Sequence, residues 1–420
     1  MSQCLPPSAI DIEGFDQLFA ESSRIGATPA GGLHRLAASR EDGQVRDLLS
    51  QWLEAHDLDV RVDPAGNLFG LATFDPAAPY ILCGSHLDSQ PTAGRFDGAY
   101  GVIAGAVAVA RVSRLHRQAG VAPRFNLALV DWTNEEGARF QPSLIGSSYF
   151  IGELDAAQAH AATDAKGVTL GQALGEIGYL GAARVELPVA GYAEVHVEQG
   201  TGLSERAAAI GVVRSTWAAI KLSLRFNGVQ AHTGPTPMAA RIDALWAAAR
   251  CIDATRRLSD EFGSALHSSV GKLDIYPNSP NVVPSRVTCF VELRSARPAL
   301  LEEACARLHS ELDAVASATG CGYQVLSEQV RAPAHLEPAL GDAVQAICHE
   351  LALPCVDSVT VSGHDAISMS RKYPSVLVFI PSEGGIAHNE GELTQERDLH
   401  NGLHVLTEFL YRASIGRLAL

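Results

Sequence analysis

Three apolar runs, "YILCGSH", "FNLALVDW" and "PSVLVFIP", are continuous where a strand with one wet face would alternate. An unbroken run of this length reads as a strand buried on both faces, and each is followed by glycine, polar groups or a helical segment, so the pattern predicts an open α/β sheet covered by helices. In such sheets chemistry gathers beyond the carboxyl ends of the strands. The apolar stretch at 98–110, "GAYGVIAGAVAVA", is closed by Arg111 well short of the roughly 20 residues a membrane span requires, and it reads as a buried helix.

At 420 residues the chain exceeds the size at which one core usually divides. The second domain is expected at 214–333. There "WAAIKLSLRF", a helix around "PMAARIDALWAAARCIDATRRL", "SSVGKLDIY", "VTCFVELRS", a helix around "LLEEACARLHSELDAVA", and "YQVLSEQV" follow in the order βαββαβ, a ferredoxin-like unit. The expected organisation is therefore a discontinuous first domain, 1–213 and 334–420, with 214–333 inserted. Residues from Ile10 to about Arg61 read as helical, with apolar residues at helical spacing in "DGQVRDLLSQWLEAHDL".

The formal net charge of -15 repels phosphate backbones and anionic membrane surfaces, so neither nucleic acid nor a membrane is an expected partner. The opening "MSQCLPPSAIDIEGF" has neither a basic nor an apolar leader region, which predicts a cytoplasmic protein. The eight cysteines form no CxxC pair and read as reduced thiols.

The residues able to carry chemistry cluster at the ends of the apolar runs. His86 and Asp88 are two apart, so on an extended chain both point to one side. Asp97 opens the "DGAYGVIAG" helix and can serve as its N-cap or as a ligand. Glu135 and Glu136 are adjacent carboxylates just beyond a buried strand, a repulsive pair that a cation relieves. His196 in "EVHVEQG" and His388 in "GGIAHNEGE" follow two further apolar stretches. Each has a plain alternative as a satisfied histidine, a helix cap or a solvated turn. Together they are the ingredients of a dinuclear nitrogen–oxygen site suited to zinc or manganese.

The motifs "GSHLDSQPTAGRFDGAYGVIAG", "TNEEGARF", "LIGSSYF", "HVEQG", "AHTGPTPM", "PNVVPSRV" and "SGHDA" resemble, in order, the amidase, hydantoinase and carbamoylase branch of the M20 metallopeptidase superfamily. That branch includes N-carbamoyl-L-amino acid hydrolases, β-ureidopropionases and allantoate amidohydrolases. The resemblance runs from about Gly31 to about Glu392. It implies a dinuclear-metal, peptidase-like α/β catalytic domain with an inserted ferredoxin-like lid and dimerisation domain. It implies two divalent ions, zinc foremost and manganese, cobalt or nickel as alternatives, one on His86, Asp97 and His196, the other on Asp97, Glu136 and His388. Asp88 becomes the partner that holds the His86 ring, and Glu135 the general base. Asn281 and Arg294 resemble residues that hold a substrate carboxylate, and Gln199 and His364 match polar contacts to the amide or ureido group. His232 matches a histidine supplied in trans by the partner subunit of a homodimer to stabilise an oxyanion.

The substrate so implied is a small N-carbamoyl or ureido compound bearing a carboxylate, hydrolysed to amino acid, ammonia and carbon dioxide. Gln90 in "DSQPTAGRFDG" resembles the carbamoylase and β-ureidopropionase members more than the allantoate ones. Allantoate, ureidoglycolate or an N-acyl amino acid fits the same chemistry, and the non-enzymatic alternative is an inactive dimeric binding protein, against which the intact Glu135 argues. The chain departs from the family's common pattern at Ala93, Ala387 and "HNEGE", where glycine, serine and a proline after the asparagine are frequent.

Overall fold

The computed structural model describes residues 4–5, 10–120 and 123–419. The opening segment read for a leader thus lies partly outside the described residues. The chain divides into two compact units, Ser215–Ala334 and the rest.

In the larger unit, eight strands among the described residues form one mixed sheet. Its order is Asp59–Val62, Leu68–Ala72, Asn126–Asp131, Tyr80–Ser85, Val189–Val197, Ser375–Ile380, Ile210–Thr216 and Cys355–Thr360. The four central strands, from Asn126–Asp131 to Ser375–Ile380, run parallel to one another. Tyr80–Ser85, Asn126–Asp131 and Ser375–Ile380 are buried at every residue, which accounts for their continuous apolar sequences. Alternate side chains go to opposite faces. Ile81 and Cys83 join the core formed with the helices Ala99–Ala119, Pro338–Glu350 and Glu396–Ser414, while Leu82 joins the core that holds Phe150, Ile151, Ala366 and Met369.

The expected helix over the first sixty residues is instead two, Ile12–Ser22 and Arg40–Ala55, followed by the edge strand Asp59–Val62. Gly26, Pro29, Gly31 and Gly32 break the helical path between them, where the chain makes isolated bridges Ala27 to Leu33 and Leu33 to Ala93. The apolar run at 98–110 lies within the helix Ala99–Ala119. Among the described residues no helix is long and apolar enough to cross a membrane, and the eight cysteines are free thiols.

In the smaller unit a four-stranded antiparallel sheet has the order Gly322–Arg331, Ala218–Asn227, Arg286–Ser295, His267–Tyr276. The helices Ala244–Phe262 and Pro298–Thr319 pack on it through Leu258, Leu308 and Leu312 against Leu222, Leu224 and Leu293. Two short strands, Ala231–His232 and Val282–Val283, pair outside that sheet; their brevity hides them from a periodicity reading.

Candidate metal centre

The four central parallel strands aim the donors. His86 follows Tyr80–Ser85, Glu135 and Glu136 follow Asn126–Asp131, His196 is the penultimate residue of Val189–Val197, and His388 comes from the loop after Ser375–Ile380. Parallel neighbours bring their carboxyl ends to one edge, so residues far apart in sequence meet there. His196 therefore lies inside its strand, not after it. Asp97 does not cap the helix: Gly98 occupies the cap at φ 64°, the Ala99 N–H donates to the Asp97 carbonyl at 2.6 Å, and the Asp97 carboxylate faces the histidines. Glycine is required at 98, because a Cβ there would stand 2.3 Å from the His86 ring.

His86, Asp97 and His196 bring one ligand atom each within 4.8 Å of one another, and so do Asp97, Glu136 and His388. The His196 Nδ1 lies 2.9 Å from the Val197 carbonyl and the His86 Nδ1 2.8 Å from that of Asp88, so in the neutral form of each ring Nδ1 carries the proton and Nε2 is left as the lone-pair donor. The Gly98 N–H donates to His196 Nε2 at 3.2 Å, in keeping with that tautomer. These atoms face the Asp97 carboxylate, His196 Nε2 at 3.1 Å and His86 Nε2 at 3.8 Å. His388 Nε2 stands 3.2 Å from the other Asp97 oxygen and 3.5 Å from Glu136. Buried acceptors turned on one another are the arrangement a cation resolves, and Glu136 Oε1 is buried with no hydrogen-bond partner among the described residues.

The electrostatics point the same way. Burial pushes His86 down to about 4, keeping it neutral. Burial also opposes charge on His196, yet the hydrogen bond and charge of Asp97 outweigh it and raise the imidazole to about 9. His388 is raised to about 9, first by its hydrogen bond to Asp97. Burial, then the charge of Asp97, lifts Glu136 to about 7, and burial, then Asp365 and Glu136, lifts Glu135 well above the carboxylate range. Protons thus collect where the site wants positive charge. The donor set fits two divalent ions with nitrogen and oxygen ligands.

Glu135 is buried, with an oxygen 3.6 Å from His86 Nε2. The Asp88 carboxylate does not hold the His86 ring. Its Oδ1 is 3.8 Å from Nδ1, whereas the Asp88 backbone carbonyl makes the 2.8 Å contact. The carboxylate instead accepts the Glu135 N–H at 3.2 Å, because the turn after the strand swings it towards the neighbouring strand end. Gln199 donates to Asp97 Oδ2 at 2.8 Å, and the His364 ring packs edge-on to His196 with centroids 4.6 Å apart. In the smaller unit His232 and Asn281 are neighbours, through pairing of His232 with Val282 and a 3.2 Å bond from the Thr233 N–H to the Asn281 carbonyl. His232 is exposed, and Arg294 lies 2.9 Å from Glu292.

Two residues at the centre escaped the reading of roles. Gln90 donates to Glu136 Oε2 at 2.9 Å. Glu392 is buried and accepts the N–H groups of Phe96 and Asp97 at 3.2 and 3.4 Å, tying the His388 loop to the Asp97 turn. The last carboxylate of "HNEGE" was the available signal.

Residues 82–412 match Peptidase family M20/M25/M40. The chain belongs to this family. Across the M20 relatives, a Mycolicibacterium smegmatis protein with only a generic hydrolase name is 45% identical over 95% of this chain and 92% of its own length. The N-carbamoyl-L-amino-acid amidohydrolase of Rhizobium meliloti is 34% identical over 89% of each chain. The allantoate amidohydrolase of Bacillus subtilis is 30% identical over 93% of this chain and 95% of its own. Among solved structures, a hydantoinase/carbamoylase family amidase from Burkholderia vietnamiensis superposes with a TM-score of 0.92 at 34% identity, covering 98% of this chain and 99% of that one. This M20 chain is thus a hydrolase by family, with an α/β fold shared along nearly its whole length.

Proposed function

We propose that the protein hydrolyses the carbamoyl C–N bond of N-carbamoyl amino acids, giving the amino acid, ammonia and carbon dioxide. The observation that carries this reading is the pair of donor groups sharing Asp97, with the buried Glu135 beside them and committed to neither. In it, His86, Asp97 and His196 hold one divalent ion and Asp97, Glu136 and His388 the other, zinc being the first choice for this donor set. When bound, the two ions acidify water and polarise the scissile carbonyl. Glu135 takes the proton from the attacking water and returns it to the leaving nitrogen. Burial and the surrounding carboxylates hold its proton affinity up, which favours taking the proton from water. Gln199, already within reach of Asp97, and His364 orient the ureido group. Asn281 and Arg294 bind the substrate carboxylate, and His232, from the second subunit of a homodimer, stabilises the oxyanion. Complementation between His232→Ala and Glu135→Gln subunits tests that last role.

Identity to a named carbamoylase and to a named allantoate amidohydrolase keeps allantoate as the second reading. Ammonia release from N-carbamoyl α- and β-amino acids, allantoate and N-acetyl amino acids, with zinc, manganese, cobalt or nickel supplied, separates them. The highest kcat/KM is expected on an N-carbamoyl amino acid. Turnover of allantoate alone would replace the first reading by the second.

A further inference from the structure

Two arginines, Arg35 and Arg46, are fully buried in the larger unit together with Asp42 and Asp131, and no step proposed above uses any of them. Four ionisable side chains in a protein interior are costly, and a buried ion pair is weak evidence of stabilisation, since apolar residues of similar volume often do as well. What these charges touch is more informative. Asp131 Oδ1 accepts the Leu87 N–H at 2.9 Å, and Arg35 Nε donates to the Leu87 carbonyl at 2.7 Å. Leu87 is the residue between His86 and Asp88, so the peptide groups on either side of it are gripped by opposite charges.

The grip is itself braced. Arg46 Nη2 lies 3.2 Å from the second Asp131 oxygen, Arg46 Nε lies 3.0 Å from Asp42, and Asp42 accepts the Ala38 N–H at 2.8 Å. The Arg35 backbone is stitched to the same turn, its N–H donating to Ser89 Oγ at 3.0 Å and its carbonyl accepting the Ser89 N–H at 2.8 Å. Arg46 also reaches Thr133 Oγ1 at 3.4 Å, two residues before Glu135. The network therefore meets the turn that carries His86 and the one that carries Glu135, and the Asp88 carboxylate links the two through the Glu135 N–H.

We propose that Asp131 and Arg35 are positioning residues of the metal centre, clamping the Leu87 peptide groups from both sides and so fixing the aim of His86 and of the Asp88–Glu135 link. The inference rests on the reading of His86 as a metal ligand. A ring on a free turn samples several directions, whereas one whose flanking peptides are held by charge-assisted bonds is delivered to the ion in one orientation.

The test is made on the full-length protein with Co2+ as the probe, read by its visible absorption and by equilibrium titration. Asp131→Asn is expected to weaken the tighter Co2+ site at least about tenfold and to alter its spectrum, with kcat falling at least about tenfold and KM staying within about threefold. Arg35→Lys, which keeps the charge and loses the Nε–H, is expected to move the same readouts in the same direction, and it replaces Asp131→Asn should circular dichroism find that variant unfolded. A folded variant with a lower melting temperature but wild-type Co2+ affinity and spectrum overturns the clamp. His86→Ala separates the two readings: if it leaves Co2+ binding untouched, the metal assignment falls and the clamp with it; if it removes a Co2+ equivalent while Asp131→Asn changes nothing, the clamp alone falls.

Discussion

The two donor groups that share Asp97 both draw on histidine and carboxylate side chains, but on opposite kinds of scaffold. His86 and His196 are 2% exposed, stand at the ends of central strands, and each has its ring fixed by a backbone carbonyl. His388 has a side chain 49% exposed, sits in a loop at φ 52°, and reaches its place through the anchors Glu390 to Thr28 and Glu392 to the Asp97 turn. Ordering a side chain costs free energy, and on the inner side folding has already met that cost. The inner group is preorganised, while the outer one must still be ordered by whatever binds. Inner and outer positions should therefore differ in affinity and exchange, beyond what two histidines and a carboxylate against one histidine and two carboxylates would bring.

The sharpest way to break this comparison is at the adjacent carboxylates. Glu135 lies beside His86 on the inner side and Glu136 beside His388 on the outer. Glu135→Gln is expected to lower turnover by at least about a hundredfold while both ions are retained, if the proposed proton carrier alone is lost. Glu136→Gln is expected to lose the outer ion. Metal analysis of the two purified proteins decides it. Loss of metal from Glu135→Gln with retention in Glu136→Gln would exchange their roles.

Next in size is Gly98→Ala, directed at the inner group alone. The residue holds φ 64°, and an added Cβ would press on the His86 ring, so strain and displacement together should cost about 2 kcal/mol of stability and weaken the inner ion. Thermal unfolding with and without metal measures both. A substitution tolerated with wild-type metal affinity would mean that the inner turn is not rigid.

How much of this was legible in the sequence follows the same division. The strands were visible because burial on both faces writes continuous apolar runs, and the donors because a crowd of polar groups at the end of such a run is costly unless a ligand meets it. Asp131, Arg35 and Arg46 were not. Arg46 sits in "DGQVRDLL" like any polar residue of an amphipathic helix, and the fact that it is buried, facing a strand end 85 positions away, exists only once the sheet has formed. Asp88 does meet His86, but mainly through its backbone carbonyl at 2.8 Å, its carboxylate standing 3.8 Å away; strand alternation could not show this, because the chain leaves the strand at Ser85 and turns. The Asp59–Val62 strand was missed because four residues of an edge carry too little periodicity to compete with the helical pattern before them.

Stepwise removal of metal is the more direct reading of the inner–outer contrast, with a smaller expected effect. Titration against a chelator should show two phases separated by at least about tenfold in affinity, or about 1.4 kcal/mol, with the outer ion leaving first. His388→Ala should abolish the weak phase and leave the tight one. A single phase in the wild-type protein, or loss of the tight phase in His388→Ala, would make the two positions equivalent.

The smallest effect is expected at Ala387, where this chain departs from the serine frequent in the family. The residue is half-buried beside the exposed His388, in a loop whose attachments are made by Glu390 and Glu392. Ala387→Ser adds one hydroxyl at a position where water can reach, so the change in stability should stay within about 0.5 kcal/mol. The affinity of the outer ion should move by less than about threefold. Both this variant and Gly98→Ala add a single heavy atom next to a proposed metal-binding histidine, one on the adaptable side and one on the preorganised side. Were Ala387→Ser to disturb metal binding as much as Gly98→Ala, the outer loop would be as tightly specified as the inner turn, and the exposure of His388 would describe a closely packed ligand that happens to border solvent.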